Sequence, residues 1–159
     1  MRNWPVYVLL GIALLGVVLI VGGEPEPLRT ARALAAAVCP PARGAFERDV
    51  LERHLAERVE LSVADGDEGT YERGELLERI FELRVRFPSC SVDIARAVTV
   101  EEGPEPRVLG ELELSEMGAP NVHADRREVA AVFRRVGDDY RLLRLRIGAR
   151  RYEPPEARP

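Results

Sequence analysis

The stretch that decides the fold is "GTYERGELLERIFELRVRFPSCSVDI", which runs from Gly69 to Ile94. It predicts a loop, a helix and the start of a strand. Thr70 ends a glycine-punctuated loop and is placed to cap the helix. The predicted buried stripe of that helix consists of Leu76, Leu77, Ile80, Phe81 and Phe87. Pro88 ends the helix, because proline lacks an amide hydrogen and its ring clashes with the preceding turn.

Two helices and a strand are predicted before this stretch. The first helix has apolar residues at helical spacing and ends before Pro40 and Pro41. Its apolar residues are Leu28, Ala31, Leu34, Ala35 and Val38. A second helix follows Gly44 and ends near Ala56, with Phe46, Val50, Leu51 and Leu55 on its apolar side. Val59, Leu61 and Val63 then alternate with polar residues, which predicts a short strand.

Four alternating runs follow the stretch, and each predicts a strand that is buried on one side. The apolar residues are Val92, Ile94, Val98 and Val100; Val108, Leu112 and Leu114; Val129, Ala131 and Phe133; and Leu143, Leu145, Ile147 and Ala149. The connections between the runs are short, as in antiparallel hairpins. The order of helix, helix, strand, helix and four antiparallel strands predicts an α+β domain.

The N-terminal segment from Val6 to Gly23 has eighteen residues and no charge. Its length approaches the ~20 residues of a membrane-spanning helix. We predict an uncleaved anchor at residues 1–23; a cleaved signal peptide is the alternative. A short linker at 24–27, the α+β domain at 28–151 and a disordered tail at 152–159 follow. Because only five residues precede the span, we expect the domain on the outer side of the inner membrane.

Composition narrows the classes of function. The net charge of −4 argues against nucleic-acid binding, which normally needs a basic surface. All 23 basic residues are arginine, which together with abundant Ala, Gly and Pro suggests a GC-rich bacterial genome. Cys39 and Cys90 are compatible with one disulfide in an exported domain or with two buried thiols. Neither cysteine has a second Cys or a His at zinc-ligand spacing, and no metal or cofactor is predicted.

The order of elements resembles that of the nuclear transport factor 2-like, or SnoaL-like, superfamily, whose cystatin-like fold is a cone formed by a curved antiparallel sheet around helices. "YERGELLERIFELRVRFPSCSVDI" is similar to the stretch of that superfamily in which a loop, an aliphatic helix, a proline and a strand follow one another. "FERDVLERHLAERVELSVADG" resembles its helix-to-strand entry. The resemblance covers about Leu28 to Arg151 and implies the fold. Such domains include isomerases, dehydratases and binding modules without catalytic activity.

The resemblance implies that functional side chains project into the cone from the strands. Three charged residues share the apolar parity: Arg96, Glu116 and Arg135. We predict that Arg96 binds an anionic ligand there, pairs with Glu116 or another carboxylate, or tilts outward at the edge of the cone, since burying an unpaired arginine is costly. Tyr71 is a further candidate ligand contact at the mouth, or a packing residue. No Asp, His or Tyr shares the inward parity, which departs from the acid–base sets of the enzymatic relatives, so no catalytic residue is predicted.

These observations predict a membrane-anchored, non-enzymatic binding or assembly module of the bacterial cell envelope. Its expected partners are the inner membrane, a second copy or an envelope protein, and a small hydrophobic or anionic ligand. The alternative is a small-molecule-binding or isomerase- or dehydratase-like enzyme that uses the cone. An enclosed cavity with a convergent acid–base pair would favour the enzyme, and a filled cone would favour protein interaction.

Overall fold

The computed structural model describes residues 23–39, 47–64, 66–86, 90–116 and 125–151. Its helices are α1 (Glu26–Val38), α2 (Arg48–His54) and α3 (Arg73–Arg86). Its strands are β1 (Leu55–Val63), β2 (Glu68–Glu72), β3 (Cys90–Val100), β4 (Arg107–Glu116), β5 (Asp125–Val136) and β6 (Asp139–Arg151). Two helices, two strands, a helix and four long strands follow one another, which confirms the predicted α+β class; β2 is the strand that the sequence does not predict. Helix α1 begins at Glu26, so it includes the last two residues of the predicted linker.

The six strands form one sheet in the order β2-β1-β6-β5-β4-β3. All neighbouring strands are antiparallel except β1 and β6, which are parallel. The register shifts in the β3–β4 pair and twice in the β5–β6 pair. Such bulges bend strands and increase their twist, so the sheet curves around the helices. We call the side of the sheet that faces the helices the inner face, and the opposite side the outer face.

The core lies between the helices and the inner face. Phe133 on β5 is completely buried, and Leu51 on α2, Val59 on β1 and Val108 on β4 are each 1% exposed. Helix α1 contacts β3, β4 and β6, because its small and aliphatic side chains form one apolar stripe. The helices therefore cover the sheet without filling the whole space that it encloses.

The prediction around Thr70 is wrong. Thr70 does not cap a helix; it lies in β2, opposite Glu60 of β1, and α3 begins at Arg73. The hairpin between the two strands is closed by a hydrogen bond of 2.9 Å from the Val63 amide to the Asp67 carbonyl. Because Tyr71 is the only large apolar residue of β2, the sequence has too little alternation to reveal the strand.

The parity predicted for β3 is correct at Ile94 and wrong at Arg96 and Val98. Ile94 is buried, whereas the side chain of Arg96 is 79% exposed and Val98 is 56% exposed. A register shift between Ala95 and Val98 causes the difference. Arg96 has φ +48°, a left-handed conformation that inserts an extra residue and reverses the alternation after it.

Bulges also change which residues face inward on β6. Leu142 is buried opposite Phe133, while Arg144 pairs with Val132, so Leu143 is the extra residue of β6. Leu145 and Ile147 pack against the core as predicted, and Ala149 is exposed instead. Leu143 is partly buried and also packs against the core, so the prediction is correct at this residue.

Helix α3 has a narrower buried stripe than predicted. Leu76, Leu77 and Ile80 are buried, but Phe81 is 53% exposed because it lies further around the helix. Phe87, the tail at 152–159 and all of the predicted anchor except Gly23 lie outside the described residues. Within the ranges given above, no helix has the length and apolar character to cross a membrane.

Candidate functional site

The inner face and the helices enclose a cavity of about 490 Å³, which we call the inner cavity. Its walls come from all three helices and from five of the six strands. Leu34 and Ala35 of α1, Ile80 of α3 and Phe133 of β5 are representative wall residues. The volume lies within the range of ~300–1,000 Å³ that is typical of small-molecule sites. The geometry therefore provides an apolar space large enough for a small organic molecule.

Two charged side chains stand at the edge of the inner cavity. Among the described wall residues, Asp67 and Arg79 are the polar ones, and we call this pair the rim. Their side chains are 60% and 44% exposed, so the rim lies where the cavity meets solvent. Arg79 Nη1 donates a hydrogen bond of 2.9 Å to Asp67 Oδ2, and its Nη2 lies 3.6 Å from Glu75 Oε1.

The ring of Tyr71 packs against Arg79 of the rim, and Tyr71 is not among the wall residues of the inner cavity. The residue is 9% exposed and belongs to the core. The guanidinium carbon of Arg79 lies 4.6 Å from the centre of its ring, within range of a cation–π contact. Tyr71 therefore packs in the core with its ring against the guanidinium of Arg79.

The other three predicted ligand contacts do not meet in the cavity. Arg96 lies on the outer face, where its Nη1 is 3.5 Å from Oε2 of Glu111. The predicted partner Glu116 is opposite Cys90 in the register, at the other end of β3, and its side chain lies outside the described part. Arg135 is exposed near the β5–β6 turn, and its Nε donates a hydrogen bond of 3.1 Å to the carbonyl of Gly137.

Cys39 and Cys90 are joined by a disulfide bond. The bond connects the end of α1 to the start of β3, so it fixes one wall of the inner cavity to the sheet. Arg84 Nη1 of α3 lies 3.3 Å from the Cys90 sulfur, which brings the third element to the same junction. Among the residues described, no group of three or more His, Cys, Asp or Glu side chains is arranged to hold a metal ion.

The outer face carries a shallow groove of about 580 Å³ with a mixed lining. Its side chains include Arg96, Val98, Leu109, Glu111, Glu128 and Arg146. Glu111 is only 9% exposed although it is charged, whereas Val98 and Leu109 are exposed apolar residues that face each other across β3 and β4. The groove is open and mixed in polarity, so it is less suited to a small molecule than the inner cavity is.

The sequence interpretation missed Arg79, the cation at the mouth of the cavity. The charged residues predicted for the site all lie on strands, whereas Arg79 lies on α3. A signal was present on α3, because Arg79 lies three residues after Leu76 and four before Leu83, positions that share one helix face. Leu83 itself lines the cavity and is 51% exposed, which marks this face of the helix as the side of the mouth.

Comparison with known proteins shows likeness of structure. No protein-family model matches the sequence, and no curated protein matches it. Solved structures do match. A protein from Kribbella flavida superposes with a TM-score of 0.68 at 11% identity, covering 82% of this chain and 91% of that one. A protein of unknown function with a cystatin-like fold from Nostoc punctiforme superposes with a TM-score of 0.63 at 14% identity, covering 82% of this chain and 92% of that one.

A third solved structure is named as a member of the NTF2-like family. It is a putative dehydratase from the NTF2-like family of Streptomyces avermitilis, with a TM-score of 0.63 at 16% identity over 77% of this chain and 92% of that one. The chain has the NTF2-like, cystatin-like fold. This confirms the predicted fold of the α+β domain. At such low identities, the NTF2-like neighbours establish the fold and carry no activity across.

Proposed function

We propose that this NTF2-like domain is a non-enzymatic binding module of the bacterial cell envelope that holds the apolar part of a small molecule in the inner cavity. The observation that supports this proposal is the composition of the cavity walls. Among the described residues that line the inner cavity, only the rim pair Asp67 and Arg79 is polar. An apolar cavity with a few polar groups at one place is the usual form of a ligand site. The cavity is not filled, as a purely structural core would be, and the wall residues that the structure describes include no convergent acid–base pair.

The envelope location rests on two features. The disulfide between Cys39 and Cys90 favours an oxidising compartment, because such bonds are rare in the reducing cytosol. The uncharged run from Val6 to Gly23 precedes α1 by two residues and has nearly the length of a membrane span. We propose that this run anchors the domain on the outer side of the inner membrane.

The alternative, an isomerase- or dehydratase-like enzyme, has one supporting observation. The neighbour from Streptomyces avermitilis is named a putative dehydratase. Proton transfer would need a carboxylate or histidine directed at a substrate in the cavity. The rim carboxylate of Asp67 is exposed to solvent and paired with Arg79, so it is placed to hold the rim together. We therefore favour binding over catalysis.

We propose separately that a second copy of the chain binds to the outer face to form a dimer. Val98 and Leu109 lie opposite each other there and are 56% and 38% exposed. Light scattering of the purified protein tests this proposal. Val98→Asp should convert a dimer to a monomer, and a monomeric parent protein would contradict the proposal without affecting ligand binding.

Binding of Nile red, a neutral dye that fluoresces in apolar surroundings, tests the ligand site. Ala131 lies in the wall on the inner face, and its neighbour Ala130 faces the outer groove. Ala131→Leu should lower the affinity for the dye by about tenfold, because the larger side chain would crowd the bound dye and overpacking costs about 1–3 kcal/mol. Ala130→Leu is the matched control and should leave the affinity unchanged. Equal effects of both variants, or no binding by the parent protein, would refute the assignment.

A further inference from the structure

We infer that the ligand of the inner cavity is an anionic amphiphile whose carboxylate or phosphate group is bound by Arg79 in exchange for Asp67. This inference rests on the proposed function and adds the chemical class of the ligand. Arg79 is the cation among the described wall residues, and it stands at the mouth of an otherwise apolar space. A molecule with its tail inside the cavity must place its head group at this rim.

The guanidinium is well positioned for such a head group. The Arg79 side chain is 44% exposed, so an anion can approach it from solvent, and the guanidinium carbon lies 4.6 Å from the centre of the Tyr71 ring. The ring limits the orientations of the side chain and leaves the edge of the planar fork directed at its acidic partners, where Nη1 donates to Asp67. Arginine matches carboxylate and phosphate oxygens in a bidentate manner, which a lysine cannot do.

The acidic residues around Arg79 are placed as exchangeable partners. Asp67 Oδ2 accepts a hydrogen bond of 2.9 Å from Arg79 Nη1, and Glu75 Oε1 lies 3.6 Å from Arg79 Nη2. The side chains of Asp67 and Glu75 are 60% and 51% exposed. Exposed ion pairs contribute little to stability because water screens them. A ligand anion that also buries an apolar tail can therefore displace Asp67. Before binding, Asp67 and Glu75 keep the charge of Arg79 neutralised at the mouth.

Because the rim binds the head group of the ligand, the rest of the cavity wall needs no polar group. The tail makes only apolar contacts, with residues such as Leu83 near the mouth and Phe133 deeper inside. Burial of the tail supplies affinity in proportion to the apolar area removed from water, and the head group at Arg79 fixes its direction. The arrangement selects molecules with one anionic end and one apolar end over wholly apolar ones.

The test compares dodecanoate, dodecyl phosphate and dodecanol as competitors of Nile red, each below its micelle concentration. The parent protein should bind the two anions about tenfold more tightly than the alcohol, because a hydrogen bond to a charged group contributes about that much. Asp67→Asn should raise the affinity for the anions about two- to fivefold, since it removes a competing partner of Arg79. The affinity of the same variant for dodecanol should stay within about twofold of that of the parent protein.

Arg79→Met should abolish the preference for the anions and keep dodecanol binding. Because this change leaves Asp67 unpaired beside the head group, the double variant Asp67→Asn/Arg79→Met separates lost attraction from new repulsion. The exposed pair of Arg58 and Glu72, 2.7 Å apart and outside the lining of the cavity, provides the matched controls Arg58→Met and Glu72→Gln. Neither control should change any of the three affinities.

The outcomes distinguish this inference from the proposed function. Equal affinities for dodecanoate, dodecyl phosphate and dodecanol, or an unchanged preference in Arg79→Met, would overturn the inference while the inner cavity remained a ligand site. A preference for only one anion would identify the head group and support the inference. Absence of binding by Nile red and by all three competitors would overturn the proposed function as well.

Discussion

Removal of the disulfide should destabilise the domain strongly. The bond joins residues separated by 51 positions, so it restricts a long loop in the unfolded chain. For a loop of this length, the chain-entropy model gives a loss of about 4 kcal/mol in the free energy of unfolding. That amount is a large share of the ~5–15 kcal/mol by which native domains are stable. We expect the double variant Cys39→Ala/Cys90→Ala to show this loss.

The position of the bond adds a functional consequence. It fixes the end of α1 to β3, and α1 supplies Ala31, Leu34 and Ala35 to the wall of the inner cavity. Without the bond, the Cys39 amide still donates to the Ala35 carbonyl at 3.2 Å, but this contact lies within the helix and does not hold it to the sheet. Nile red affinity should therefore fall together with stability.

Urea unfolding followed by far-ultraviolet circular dichroism measures the effect, because the single tryptophan, Trp4, lies outside the domain. The parent protein is compared with and without reductant, and the double variant serves as the control that reductant should not change. A loss below about 1 kcal/mol in both the reduced protein and the variant would refute the loop argument. A response of the variant to reductant would show that the reductant acts elsewhere.

Three other predictions concern the core, the bulge and the anchor. Phe133→Ala should lower the free energy of unfolding by about 3–5 kcal/mol because the ring is completely buried; an equal loss in Phe81→Ala, at a 53% exposed site, would contradict this burial. Arg96→Val should cost about 1–3 kcal/mol because a β-branched residue is strained at φ +48°, whereas Arg96→Gly should be tolerated in the same urea titration; an equal effect of both would contradict the left-handed backbone. Full-length protein should stay with membranes after carbonate washing and a chain beginning at Glu24 should not, whereas a shortened soluble form would indicate a cleaved signal peptide.

Local patterns were sufficient for the larger elements. The stripe of α1 and the alternation in β4 and β5 could be read from the sequence, because burial of one face imposes periods of 3.6 and 2 residues. Pro40 and Pro41 marked the end of the first helix, since proline cannot continue one. Element order then sufficed for the fold class, which the solved structures confirm.

The tertiary structure decided the details on which the site depends. Whether Arg96 faces inward is set by a bulge between Ala95 and Val98, and a shift of one residue reverses every side chain after it. Strand β2 exists because β1 offers it a pairing edge, which a five-residue segment with one buried side chain cannot reveal alone. The cation at the mouth is Arg79 and not Arg96, because the bulge puts Arg96 on the outer face, whereas α3 brings Arg79 to the wall of the inner cavity. The sequence by itself determined which faces are apolar, since that depends on residue type and local spacing; only the tertiary structure determined what those faces enclose, since that depends on register between distant strands.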